Sequence, residues 1–170
     1  NIITQLLEFS RTRALQTEPT IVDNWLAALI EEEAGRLPQS ITVDCSLGLG
    51  QLKSSIDPAR LSRAVINLVY NAAEAMVGKG DGPVNPGAPE PQIAIVSALT
   101  ARGIEISIAD SGPGIRPEHL EKIREPLFTT KSFGTGLGIP AVEQIVGQHG
   151  GKLEITSKPG QGAVFTIILP

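Results

Sequence analysis

The chain predicts an α+β two-layer sandwich, with a mixed, mostly antiparallel sheet of about five strands packed against three helices. Two observations predict it. Short runs rich in Ile, Val and Ala come in pairs separated by tight turns, whereas a doubly wound parallel sheet alternates single strands with helices. Longer stretches after Asp57 and after Leu137 instead carry apolar residues at helical spacing. Length agrees, since 170 residues suffice for one ordinary core and are short for two. Hydrophobic residues make up 41% of the chain and aromatics only 4%, so that core must be built from Leu, Ile, Val and Ala.

Residues 1 to about 14 have helical spacing in Ile2, Ile3, Leu6, Leu7 and Phe9, and the pattern breaks at Gln16-Thr-Glu-Pro-Thr20 because Pro19 disfavours helical geometry before it. The chain starts inside this pattern, which suggests the tail of a helix begun upstream. Two parts follow: 1–18 as helix end and linker, 19–170 as the main domain. Asp23 is the expected N-cap of a helix through Trp25, Leu26 and Ile30, ending near Leu37-Pro38. Residues 40–46 and 51–56 are expected strands, joined by the turn Leu47-Gly-Leu-Gly50. Asp57 followed by Pro58 marks the start of the longest helix, to about Val77. Residues 78–91 are too rich in Gly and Pro to pack, so a mobile surface loop is expected there. A hairpin pairs 92–99 with 103–109, a loop region from 110 to 137 carries a short helix near 117–124, a helix covers 138–149, and a last hairpin joins 152–157 to 163–169.

Composition excludes several classes. The net charge of -4 is dispersed, with no long single-sign run, which argues against nucleic acid and against membrane contact by this segment. No apolar stretch approaches the roughly 20 residues that span a bilayer. Cys45 is the only cysteine, so an internal disulfide and a cysteine-based zinc site are excluded and a reducing, cytoplasmic compartment fits. Alternation places Ile41, Val43 and Cys45 on one face, and Cys45 is expected to be a small buried strand residue without a chemical role.

Three elements carry chemistry. In the long helix, Arg63, Asn67, Asn71 and Glu74 are spaced to form one polar stripe. Asn is a poor interior helix former, so two of them one turn apart ask for a reason beyond solvation. A neutral amide oxygen can ligate Mg²⁺ without adding charge, which suits a site that also holds phosphates. Asp110-Ser-Gly-Pro-Gly114 follows an apolar strand: a carboxylate there can accept from an exocyclic amine, and glycines let the backbone approach a flat ring. Gly134-Thr-Gly-Leu-Gly138 leads into a helix, where exposed N–H groups and the helix dipole favour phosphate oxygens. The dinucleotide fingerprint is excluded because Pro126-Leu-Phe-Thr-Thr-Lys-Ser-Phe133, not a strand, precedes these glycines. A Walker loop is excluded because Gly147 to Lys152 is one residue short and Leu153 stands where Ser or Thr is required.

In this order, Asn67-Leu-Val-Tyr-Asn71-Ala, Asp110-Ser-Gly-Pro-Gly114, Pro126-Leu-Phe-Thr-Thr-Lys131 and Gly134-Thr-Gly-Leu-Gly138 resemble the N, first glycine, F and second glycine boxes of histidine-kinase ATP-binding domains. The resemblance covers about residues 20–170 and extends to the ending Gly162-Ala-Val-Phe-Thr-Ile-Ile-Leu-Pro170. It implies the Bergerat-type sandwich shared with gyrase-type ATPases, with ATP and Mg²⁺ as cofactors. It further implies that Asn71 ligates Mg²⁺, that Asn67 supports the phosphates, and that Asp110 accepts from the adenine amino group. Gly112 and Gly114 would shape the adenine pocket, while Gly134, Thr135, Gly136, Leu137 and Gly138 would meet the phosphates. Residues 111–137 would form a mobile lid packed by Phe128, with Thr129, Thr130 and Lys131 as polar contributors and Lys131, with Arg63 as the alternative, as the catalytic cation beside Asn67. Three departures stand out. Leu127 replaces the family's frequent Phe, Ala163 stands where Gly-Thr is usual, and Glu74 occupies a position where some members carry a base near the phosphates.

The resemblance also covers ATP-hydrolysing clamps, in which a Glu occupies the position of Asn67 and activates water. An amide cannot take that proton, so phosphoryl transfer to a histidine is the favoured reaction, with a clamp-type hydrolase, an anti-sigma-type serine kinase and a non-catalytic scaffold as the alternatives. Neither His119 nor His149 sits like an acceptor at the start of a helical hairpin, and His149 is suited to complement a helix C-terminus. The acceptor is expected upstream, on a dimerisation and phosphoacceptor hairpin whose second helix ends in residues 1–18. The implied partners are that hairpin, within a full-length homodimer with room for a membrane anchor outside this segment, and a response regulator.

Overall fold

The computed structural model describes residues 3, 4, 6, 7, 14–78, 87–129 and 136–170. Ile3, Thr4, Leu6 and Leu7 are helical, with Ile3, Leu6 and Leu7 exposed. The remaining elements run β1 (Glu18–Ile21), α1 (Val22–Ala34), β2 (Thr42–Leu47), β3 (Lys53–Ile56), α2 (Pro58–Val77), β4 (Gln92–Thr100), β5 (Gly103–Asp110), α3 (Pro117–Leu120), a 3₁₀ turn (Lys122–Arg124), α4 (Gly138–Gln148), β6 (Lys152–Ser157) and β7 (Ala163–Leu169). The predicted α+β sandwich is present, with the three helices α1, α2 and α4, and the short α3 falls where a short helix was expected near 117–124. None of these helices is long and apolar enough to cross a membrane.

The main sheet has five strands in the order β2-β4-β5-β7-β6. The β4–β5 and β6–β7 hairpins form as expected, and β7 pairs antiparallel with β5 to join them. Alternation along the central strands sends Ile93, Ile95, Ile106, Ile108, Phe165 and Ile167 to one face, where all are essentially fully buried. Against that face lie Leu61, Val65, Leu68 and Ala72 of α2 and Val142 and Val146 of α4. The core is thus aliphatic with one central ring, Phe165, as the composition requires.

Four expectations are corrected. β2 and β3 form no hairpin: β2 pairs parallel with β4, and β3 pairs antiparallel with β1 in a separate two-stranded ladder. A turn does close between them, the Leu52 N–H donating to the Leu49 carbonyl at 3.2 Å, but Gly48 donates to the carbonyl of Ser97 on β4, at 3.0 Å, and so continues the pairing of β2 with β4. The stretch around Pro19 is itself a strand, because a two-stranded ladder leaves proline an edge where no N–H is needed. Asp23 is not a helix cap. Ile21 occupies that position without a side-chain cap bond, and Asp23, only 7% exposed, turns into the first turn of α1 to bind loop and strand groups. Cys45 is exposed, because β2 is the edge strand of the main sheet and alternation alone does not cover its inward face.

The cap of α2 is as expected. Asp57 stands extended at φ -92°, Pro58 opens the helix, and the carboxylate accepts from the Arg60 backbone N–H. The segment expected to be a mobile loop, 78–91, lies largely outside the described residues.

Candidate functional site

Helix α2 carries Asn67 and Asn71 one turn apart, both half-buried, with Glu74 likewise half-buried and Arg63 exposed. The apolar side of the same helix packs into the core, so rotation of the stripe is fixed by Leu61, Leu68 and Ala72. Beside Asn71, Tyr70 holds the other flank of α2. Burial first, and its hydrogen bond to the buried Glu33 second, push the Tyr70 phenol above its ordinary pKa. Glu33 in turn accepts from Arg36 at 2.8 Å.

Asp110 ends β5 and begins the first glycine-rich loop. Its Oδ1 accepts from the backbone N–H of Gly112 at 2.9 Å, which fixes the carboxylate at the mouth of the loop. Gly112 sits against α2: a Cβ there would stand 3.3 Å from Met76 and 3.6 Å from Ala75. The loop and the asparagine helix are therefore in contact. The Ser111 hydroxyl fastens the other side, donating to the Glu90 carbonyl and receiving the Gln92 N–H, both at 2.9 Å.

The β6–β7 turn closes behind this loop. Gly160 donates to the Pro113 carbonyl at 2.7 Å, and Ser157 Oγ receives the Ile115 N–H at 2.8 Å while donating to the Gly162 carbonyl at 2.7 Å. Gly162, at φ +71°, passes so close that a Cβ would lie 1.9 Å from the Asp110 carbonyl oxygen. Ser111, Ser157 and Gly162 are structural residues of the site to which the sequence alone gives no role. Only Gly162 left a signal, as the second glycine of Pro159-Gly-Gln-Gly162 in a tight turn.

The segment expected to act as a lid makes several contacts through its described residues. Phe128 is half-buried with its ring 5.6 Å from that of His119, and Arg124 pairs with Glu143 on α4 and donates to the Leu153 carbonyl. Leu127, 60% exposed, adopts the left-handed φ of 69° and donates to the Gly136 carbonyl at 3.0 Å. Gly136, also left-handed at φ 69°, leaves no room for a side chain, since a Cβ would lie 2.3 Å from the Leu127 backbone. Thr129 is exposed at the end of the described segment. Thr130, Lys131, Gly134 and Thr135 lie outside the described residues.

Leu137, 4% exposed, anchors the start of α4, and the exposed Gly138 begins the helix. Among the described residues no side chain caps this terminus and no acid lies in its first turn, so its N–H groups and positive potential suit an anion. Helices α2 and α4 pack together, and at the far end of α4 His149 meets Asp57 at the start of α2. Tracing back along α4 at about 1.5 Å per residue covers roughly 16 Å, which brings its start toward the Asn67–Asn71 turn. Asp110 and Gly112 thus lie against the asparagine helix, on which α4 also packs. Among the described residues no three His, Cys, Asp or Glu side chains gather as a metal cage. A Mg²⁺ held by one amide oxygen and by phosphates would need no such cage, so this donor set fits it.

Comparison with known proteins agrees with this geometry. The family model "Histidine kinase-, DNA gyrase B-, and HSP90-like ATPase" matches residues 56–170. The sensor histidine kinase ZraS of Escherichia coli is 31% identical over 99% of this chain and 34% of its own length. The signal transduction histidine-protein kinase AtoS of the same organism is 34% identical over 99% of this chain and 26% of its own length. The chain therefore spans about a third or less of these relatives. Among solved structures, the catalytic domain of the histidine kinase ThkA superposes with a TM-score of 0.74 at 29% identity, covering 92% of this chain and 96% of that one. A crystal structure of ThkA with the response regulator protein TrrA matches at a TM-score of 0.79 and 26% identity, over 99% of this chain and 46% of that one.

Proposed function

Because this chain belongs to the histidine kinase-, DNA gyrase B- and HSP90-like ATPase family, we propose that it binds Mg-ATP as the catalytic domain of a sensor histidine kinase. It transfers the γ-phosphoryl group to a histidine on a dimerisation hairpin, from which an aspartate of a response regulator receives it. Residues 19–170 are the catalytic domain, and residues 1–18 are the end of the hairpin and its linker. The whole protein is a homodimer whose catalytic part works in the cytoplasm.

One observation carries the choice of kinase over hydrolase: Asn67, a neutral amide, stands on α2 one turn before Asn71. A water-activating base would have to accept a proton at that place, and an amide does not. A neutral imidazole brings its own lone pair, so positioning and charge stabilisation suffice. The relatives support this reading, since the two described above are named histidine kinases.

Each residue then has a task. Asp110, held by Gly112, accepts from the adenine amino group, and Gly114 keeps the loop close to the ring. Asn71 is the Mg²⁺ ligand and Asn67 orients the phosphates. Bound Mg²⁺ would offset negative charge on the phosphate oxygens. Gly134, Thr135, Gly136, Leu137 and Gly138 meet the phosphates from the lid side, with Thr129, Thr130 and Lys131 beside them. Phe128 packs the lid, and its closure excludes water from the transfer.

The test is to mix the chain with a separately supplied histidine-bearing hairpin and γ-labelled ATP. Label appearing on the hairpin histidine is the expected result. Nucleotide binding with steady phosphate release and no transfer would replace the kinase reading with a hydrolase.

A further inference from the structure

The linker before β1 is tied to the end of the molecule where α2 and α4 meet. The Gln16 backbone N–H donates to Asp57 Oδ2 at 2.9 Å, while Asp57 Oδ1 takes the Arg60 N–H at 3.1 Å. The Asp57 N–H donates to His149 Nε2 at 3.0 Å. With Nε2 accepting, the ring proton is on Nδ1, which lies 2.8 Å from the Ile145 carbonyl of α4. Arg60 completes the clasp, reaching Gln148 at 2.6 Å and lying 3.7 Å from Asp57. One residue thus joins three pieces of chain: the Asp57 carboxylate holds the linker and the first turn of α2, and the Asp57 backbone N–H holds His149 at the end of α4. Ala14, Gln16 and Thr17 are exposed and Leu15 only half-buried, so little burial holds the linker besides this bond and the β1–β3 ladder that follows.

The same two helices carry the nucleotide residues further along, with Asn67 and Asn71 on α2 and Gly138 opening α4. We propose that Asp57 and His149 are positioning residues that clasp the linker at Gln16 to both nucleotide-bearing helices, so that linker docking and nucleotide occupancy are coupled. The proposal rests on the nucleotide-binding reading above. The physical route is short. Phosphates at the α4 N-terminus fix that helix, and a fixed α4 holds His149 against Asp57, so the clasp loses less freedom when it forms. Coupling of this kind is reciprocal: a docked linker strengthens nucleotide binding by the factor by which nucleotide strengthens docking. A linker leading to the phosphoacceptor hairpin would then hold the loaded domain in a set orientation.

The experiment is amide hydrogen exchange on this chain, followed by NMR at Gln16 and at the core amide of Ile167, with and without Mg-ADP. Nucleotide should slow Gln16 exchange by about fivefold or more, the range expected for site coupling. Asp57→Asn separates the clasp from the helix cap, because its single amide oxygen can still take the Arg60 N–H but not the Gln16 N–H as well. In that variant the nucleotide effect should vanish at Gln16 and persist at Ile167. Gln16→Pro removes the donor itself and leaves Asp57 intact, which covers the case in which Asp57→Asn folds poorly. Both variants should weaken Mg-ADP binding, measured by calorimetry, by the factor seen at Gln16. Binding by the parent chain with unchanged Gln16 exchange would overturn the coupling alone. No binding heat at all would overturn the nucleotide reading and the coupling with it.

Discussion

The Ser97 hydroxyl on β4 donates to the Asp23 carboxylate on α1 at 2.6 Å, and both residues are buried. The second oxygen of Asp23 takes the backbone N–H groups of Leu49 and Gly50, each at 2.8 Å. One side chain thus holds the first helix, the β2–β3 connection and the sheet together. Asp23→Ala would leave these three donors without their acceptor, at a cost of about 3 kcal/mol or more, from roughly 1–3 kcal/mol for each buried group left unmet. Asp23→Asn should cost about 1 kcal/mol, since its oxygen can keep both N–H groups and its amide can donate to Ser97. Urea unfolding of the two variants measures the difference, and equal losses would show that the carboxylate geometry is not what matters.

Gly162 and Gly160 share one turn and left-handed φ values of 71° and 79°, yet they differ in what surrounds them. A Cβ at Gly160 meets nothing within 4 Å, whereas at Gly162 it would stand 1.9 Å from the Asp110 carbonyl. Gly160→Ala should therefore cost only the conformational term, about 1 kcal/mol, with nucleotide affinity unchanged. Gly162→Ala should push the Asp110 loop aside and lower nucleotide affinity at least about tenfold, equivalent to roughly 1.4 kcal/mol. Calorimetric titration of both variants checks this; an unaffected Gly162→Ala would mean that the loop yields freely.

These two cases mark what the sequence could disclose. The cap Asp57-Pro58 was legible because both of its signals are adjacent in the chain, and so were the hairpins closed at Gly103 and between Ser157 and Ala163. The parallel pairing of Thr42–Leu47 with Gln92–Ser97 was not, because its cause lies across a whole intervening helix. Asp23 is a residue type that caps helices and stands near a helix start, but the helix begins at Val22 and the buried Ser97 opposite donates to its carboxylate. The site divides the same way. Amides at helical spacing and glycine clusters are local patterns, while the pressing of Gly162 on Asp110 is a contact between distant turns.

The Asp57 carboxyl is held below its ordinary pKa. Burial alone would raise it, but the Gln16 and Arg60 N–H groups, with the Arg60 guanidinium nearby, outweigh that and favour the anion. The folded pKa is thus lower than the unfolded one, so the stabilisation is fully present above the unfolded value and fades as pH falls toward the folded value. The parent chain should lose stability as pH drops below the usual carboxylate range, and Asp57→Asn should lose less over the same interval. Thermal unfolding across that acid range, compared between the two, gives the answer; parallel curves would remove Asp57 from the account.

Asp110 offers a test of what the pocket recognises. A carboxylate only accepts hydrogen bonds, and one of its oxygens already takes the Gly112 N–H. Asp110→Asn keeps the shape but adds a donating amide. Turned one way, that amide faces the Gly112 N–H; turned the other, it faces the adenine amino group, and both arrangements set donor against donor. ATP affinity should fall by roughly 10- to 100-fold, as expected when a site built for one hydrogen-bonding pattern meets the opposite one. Guanine presents a carbonyl oxygen where adenine presents the amine, and the new amide can donate to it. The preference for ATP over GTP should therefore shrink or reverse in Asp110→Asn, which competition binding with the two nucleotides measures directly. An unchanged ATP-to-GTP ratio would mean that Asp110 does not touch the base.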